Sequence, residues 1–209
     1  MRRRIYGFYF ALGLAALLVA LALSARSTSA HVFPCDFLTG GGFIEPAAVG
    51  AYPVGKANFG VGGGCKHGSP TWGHLEYQDH GLIQDGNHLN VHWTAITAYL
   101  REDGETPDPE PDPKTRQPRG TRLVCGTART NHFGDVDFMV IVTDNGEPGT
   151  DDEFDIRLAQ GGVIKYNTEI GGPHKLGGGD GGGGNIQLHK PNPSTTGDFG
   201  GECPARDAH

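Results

Sequence analysis

The stretch His88-Leu-Asn-Val-His-Trp-Thr-Ala-Ile-Thr-Ala-Tyr-Leu100 decides the fold class of this 209-residue chain. Leu89, Val91, Trp93, Ala95, Thr97 and Tyr99 gather on one side of it, while His88, Asn90, His92 and Thr94 take the other. A repeat of two marks a half-buried strand, because successive side chains of an extended backbone point to opposite faces.

The same alternation extends outward from this stretch. In residues 73–80, Leu75, Tyr77 and Asp79 oppose His74, Glu76, Gln78 and His80. Val136, Phe138, Val140 and Val142 alternate with Asp137, Met139, Ile141 and Thr143, and Phe154, Ile156 and Leu158 with Asp155 and Arg157. Ile186 and Leu188 flank Gln187, and weaker patterns lie near Phe43 and at residues 56–61, 123–128 and 163–166. No segment beyond residue 30 keeps a helical period for three turns. The expectation is an all-β protein, an antiparallel β-sandwich of jelly-roll or barrel-like form, with about eight to ten short strands.

The chain opens with Arg2, Arg3 and Arg4, continues through an uncharged run at residues 5–23, and reaches Thr28-Ser-Ala30. A charged start, an apolar middle and a small-residue exit read as a signal peptide over residues 1–30, cut after Ala30 or Ala25. The alternative is an uncleaved N-terminal anchor; both readings export the remainder. Four of the 17 Lys and Arg and none of the 24 Asp and Glu precede residue 31, so the exported part carries −11. That charge argues against nucleic acid or anionic lipid as partner, and no membrane span follows the signal.

Export gives the four cysteines their meaning. Cys35, Cys65, Cys125 and Cys203 read as two disulfides, with Cys35–Cys203 tying the chain ends and Cys65–Cys125 inside as the preferred pairing of three. Zinc is the competing reading, and the missing C-x-x-C spacing counts against it. The domain is expected to run over residues 31–190, with a Pro/Asp-rich, solvated loop at 101–120. Residues 191–209 form a flexible tail tied back by Cys203, and the glycine run at 177–184 reads as flexible too.

Five ordered blocks, Thr39-Gly-Gly-Gly-Phe-Ile44, Gly55-Lys-Ala-Asn-Phe-Gly60, Gly73-His-Leu-Glu-Tyr-Gln-Asp-His80, Val142-Thr-Asp-Asn-Gly-Glu-Pro-Gly149 and Gly184-Asn-Ile-Gln-Leu-His-Lys190, together resemble the secreted bacterial module called the post-COAP domain. The resemblance spans about Thr39 to Lys190 and implies an exported β-rich domain without implying an activity. The Pro-Asp loop, the glycine run and the cysteines depart from that pattern.

Three constellations could carry chemistry. Asp144, Asn145, Glu147, Asp151 and Asp152, with Glu153, supply hard oxygen donors on one hairpin loop, which suits Ca2+. The plain reading is turn chemistry, since Asn-Gly and Glu-Pro-Gly are ordinary turn sequences. Asp79, His80 and His92 could form an inter-strand transition-metal site for a hydrolase. The parity of Asp79 aims it inward, where a structural acid tying strands together is preferred over a general base. Trp72, in a turn-rich stretch, could stack a sugar ring. Nucleophilic catalysis finds no support, since Ser69 and Ser194 are the only serines beyond residue 30 and neither sits in G-x-S-x-G. The expected function is a secreted, non-catalytic module for extracellular interaction or structural support, calcium-stabilised if the loop binds, with an extracellular protein or glycan as partner. A metal-dependent hydrolase and a carbohydrate-binding module are the alternatives.

Overall fold

The computed structural model describes residues 35–46, 55–102, 108–170, 172–178 and 182–204. The segment read as a signal lies outside these residues. Ten strands run in chain order: β1 (Phe37–Ile44), β2 (Ala57–Lys66), β3 (Ser69–Gln84), β4 (Asn87–Arg101), β5 (Gly120–Thr130), β6 (Gly134–Asp144), β7 (Glu153–Gln160), β8 (Val163–Asn167), β9 (Gly184–His189) and β10 (Gly200–Gly201). No helix occurs among the described residues. Every weak strand pattern in the sequence is realised, in β1, β2, β5 and β8.

Nine strands form one antiparallel path, β8-β7-β6-β5-β4-β3-β2-β1-β9. Short turns enforce the meander. Gln84 pairs with Asn87, leaving Asp85-Gly86 as a two-residue turn whose φ values of 51° and 78° match the twist of the flanking strands. The sheet curls until strands far apart in its order meet. Phe59 of β2 stacks on Phe154 of β7 with ring centroids 3.8 Å apart, and the Tyr77 and Tyr166 hydroxyls of β3 and β8 touch. The inward-facing side chains make one continuous core, including Leu38, Leu75, Val91, Val124, Phe138 and Ile156. The all-β antiparallel expectation therefore holds, while the two-layered sandwich is replaced by a single curled sheet, a half-barrel whose edge strands β8 and β9 do not pair.

One end of the barrel is closed by charge. Arg122 shares the inward parity of Val124 and is 0% exposed. Its guanidinium forks onto Asp36 through Nε and Nη2 and onto Asp108 through Nη1 and Nη2 at 2.9 and 2.8 Å. Tyr99 donates to Asp36 at 2.7 Å, and burial followed by the Asp36 charge pushes its hydroxyl pKa well above the usual value. Two hydrogen-bonded carboxylates drive the Arg122 pKa upward against its burial, so this cation stays charged. Bidentate geometry makes a buried arginine tolerable here.

Two segments expected to be loose are bound. Asp108 reaches the barrel mouth, and Asp112 accepts from the Thr115 and Lys114 amides, the Thr115 hydroxyl and the Glu147 amide. Those donors hold its carboxyl down at about 2. Arg119 donates to the Glu110 and Asn145 carbonyls. Residues 108–119 are thus a loop packed across the β6–β7 connection instead of a solvated arm. The glycine run is anchored at both ends of its described part, with Gly177 N–H on the Phe43 carbonyl and Phe43 N–H on the Gly183 carbonyl.

The C-terminal segment is a strap, which corrects the expected flexible tail as far as residue 204. Its Gly197 carbonyl accepts from Cys35 N–H, Thr196 from Gly68 N–H, and Phe199 stacks on Tyr99 at 5.4 Å. The β3–β4 ladder ends at Glu76↔His92, and β10 pairs with the far half of β4 instead, at Ala98 and Tyr99. The disulfides are Cys35–Cys65 and Cys125–Cys203, correcting the expected Cys35–Cys203 and Cys65–Cys125 pairing. Register is the reason. Phe37↔Gly64 sets Cys35 beside Cys65, while Ala98 is the neighbour of both Gly201 and Cys125, which brings Cys203 to Cys125.

Candidate functional site

The acidic loop between β6 and β7 is spent on closing the sheet. Leu188 N–H donates to Asp144 Oδ2 at 2.7 Å and Ile186 N–H to Asp152 Oδ2 at 2.8 Å. The second oxygens accept from the loop itself, Asp144 from Gly146 N–H at 2.8 Å and Asp152 from Asn145 N–H at 2.9 Å. These carboxylates stand where carbonyls of a further strand would stand, and they satisfy the outer edge of β9. Glu147 accepts from the Asn185 and Gln187 amides, and Asp151 pairs with Lys175 at 2.7 Å. Asn145 donates to the Asp151 carbonyl. Burial pushes the Asp152 carboxyl up to about 6 against its two amide donors, with the Asp144 and Glu147 charges adding to the rise. Asp144 moves the same way, again chiefly through burial. Among the described residues no group of three or more His, Cys, Asp or Glu is arranged to hold a metal ion.

Asp79, His80 and His92 do not converge. Asp79 faces inward, 6% exposed, accepting from Tyr166 Oη at 2.7 Å and from the Gly81 and Leu82 amides. It ties β3 to β8, the structural role preferred from its parity. Tyr77 and Tyr166 share their hydroxyls beside it, and burial drives both phenol pKa values upward. His80 lies on the outer face with Nε2 2.9 Å from Asn58 Nδ2 and its ring edge-on to His88. His92 is also outside, its Nδ1 paired with Glu76 directly across the ladder.

The outer face of β2–β4 holds the remaining polar side chains in an ordered array. Gly60↔Glu76↔His92 form one row across three strands and Asn58↔Gln78↔Asn90 the next. Between the rows lies an open pit of about 280 Å³. Trp72, paired with Gly64, lies on this same face beyond His74 and is half-buried, with Lys66 Nζ 5.6 Å from its ring centre. His74 is exposed and its ring covers Gly62, where a Cβ would come within 2.8 Å of Cε1. A larger concavity of about 400 Å³ beside Thr127, Asp135 and Asp137 is bounded by the exposed Arg129–Asp135 pair.

Sequence reasoning named Trp72 and His92 but passed over Asn58, Gly60, Gln78 and Asn90. The parity that aims Leu75 and Tyr77 inward aims Glu76 and Gln78 outward, so two of the six positions in these rows were implicit in one strand. The other four depend on which strands neighbour β3. No protein family, no curated protein and no solved structure matches this chain.

Proposed function

We propose that this protein is an exported, non-catalytic binding module that presents the outer face of β2–β4 to its partner. The observation that carries this reading is the contrast between the two faces of the sheet. Inside, the core is continuous and the inward polar groups are committed to one another, Asp36 and Asp108 to Arg122, and Asp79 to Tyr166. Outside, three side-chain amides, a carboxylate and one imidazole line an open pit. Two disulfides suit an oxidising, extracellular setting, and the blocks resembling post-COAP modules fit an exported β-domain.

The test is retention. Full-length protein is incubated with washed envelopes of the producing cells and sedimented, beside an assay for turnover of ester, glycoside, peptide and phosphoester substrates with added divalent metals. Saturable retention without turnover is expected. Turnover that co-purifies with the folded chain overturns the non-catalytic reading, and absence of saturable retention overturns the binding reading.

A further inference from the structure

We infer that the pit on the outer face of β2–β4 is a subsite for one ring of a neutral saccharide, whose chain continues along β3 past His74 to Trp72. This rests on the binding-module reading and names its ligand. The pit is walled by Asn58, Gln78 and Asn90 in one row and by Glu76 and His92 in the next. Amides, a carboxylate and an imidazole offer donors and acceptors side by side, which is what adjacent sugar hydroxyls require. Asn58 and Asn90 donate their Nδ2 hydrogens within the protein, to His80 and to the His88 carbonyl, which turns their carbonyl oxygens into acceptors of fixed orientation. Glu76 and His92 are locked together in the same way.

The floor points to close approach by a ligand. Gly60 sits in the interior of β2, where glycine weakens a strand. A Cβ added there would meet nothing within 4 Å, and its φ lies outside the left-handed region, so neither crowding nor backbone geometry demands glycine. Gly62 and Gly64 on the same strand differ, because the His74 ring and the Phe37 side chain occupy the space above them. An open, polar, side-chain-free floor accepts the flat face of a ring.

Size and charge narrow the ligand further. About 280 Å³ falls just below the roughly 300–1,000 Å³ typical of small-molecule sites, which suits a single ring. No exposed apolar side chain lines the pit, which disfavours lipid or an apolar peptide. The chain's net charge of −7 and the carboxylate of Glu76 disfavour sulfated or uronic sugars. Trp72 lies four residues from Glu76 on the same face, about 13 Å along the strand, so a short oligosaccharide spans pit and indole together.

The experiment titrates the full chain with cello-, manno-, galacto- and chito-oligosaccharides of increasing length, read by calorimetry and by tryptophan fluorescence. At least one series is expected to bind with Kd at or below about 1 mM. Gly60→Val fills the pit with a residue strands favour, so binding is expected to fall at least about tenfold with Tm unchanged or raised. Trp72→Ala is expected to weaken the longer oligomers and leave the shortest unaffected. Absence of binding across the panel overturns the inference, as does binding that Gly60→Val and Asn90→Ala leave unchanged. Envelope retention that persists without saccharide binding marks a protein partner, which sinks this inference while leaving the module reading standing.

Discussion

Replacing Asp152 by alanine tests whether two carboxylates take the place of a missing strand at the β9 edge. Asp152 is 0% exposed and accepts from Ile186 N–H at 2.8 Å and Asn145 N–H at 2.9 Å. Alanine leaves both donors without an acceptor in a dry site, at roughly 1–3 kcal/mol each, or about 2–6 kcal/mol together. The lower bound corresponds to a Tm drop of about 4–8 °C for a domain of this size. The pH response carries independent information. The folded pKa of about 6 lies above the ordinary 3.8, so the folded chain holds this proton more tightly than the unfolded chain does. The Asp152 contribution is therefore fully present below pH 3.8 and is lost as pH rises through 6. Denaturant melts of both chains between pH 4 and 8 should show the Asp152→Ala penalty growing as pH falls through 6. Hydrogen exchange at the Ile186 amide should accelerate in the variant. A Tm change below about 2 °C at pH 7, or the same pH slope in both chains, refutes the reasoning.

Three further outcomes are expected. Arg122→Met strands Asp36 as a buried, unpaired charge and should cost about 3–5 kcal/mol in a denaturant melt, while adding Asp36→Leu to that variant should recover much of the loss. Cys125→Ala with Cys203→Ala opens a 78-residue separation and should cost about 4.5 kcal/mol by the chain-entropy estimate, with exchange protection lost first at β10; equal melts under oxidising conditions would contradict the strap. Calcium at millimolar concentration should leave the Tm where chelator leaves it, because Asp144 and Asp152 each accept backbone amides on both oxygens; a calcium-dependent rise would support the calcium expectation for the loop instead.

The acidic loop shows where local reading stops. Six acids and amides within ten residues are visible in the sequence, but a carboxylate looks the same whether it faces water, an ion or a strand edge. Only the curl of the sheet, which brings β9 to the β6–β7 connection, turns Asp144 and Asp152 into edge caps. Asp79 is the opposite case. Its parity with Leu75 and Tyr77 already aimed it inward, and a buried carboxylate must find donors, so its structural role was legible before its partner Tyr166 was known.

The alternation of apolar side chains determined by itself that this chain is antiparallel β and which side of most strands is buried, because side-chain direction follows from backbone geometry one residue at a time. In β4 it failed, since register shifts at Trp93/Ala95 and Ile96/Ala98 leave Ala95 and Thr97, expected inside, exposed and turn Ile96 into the core. Pairing is a property of two segments. Which cysteines bond, that Arg122 meets Asp36 and Asp108 across the barrel mouth, and that Asn58, Gln78 and Asn90 stand in one row were fixed by the order and register of strands distant in sequence. The curl of the whole sheet then decided what each of them touches.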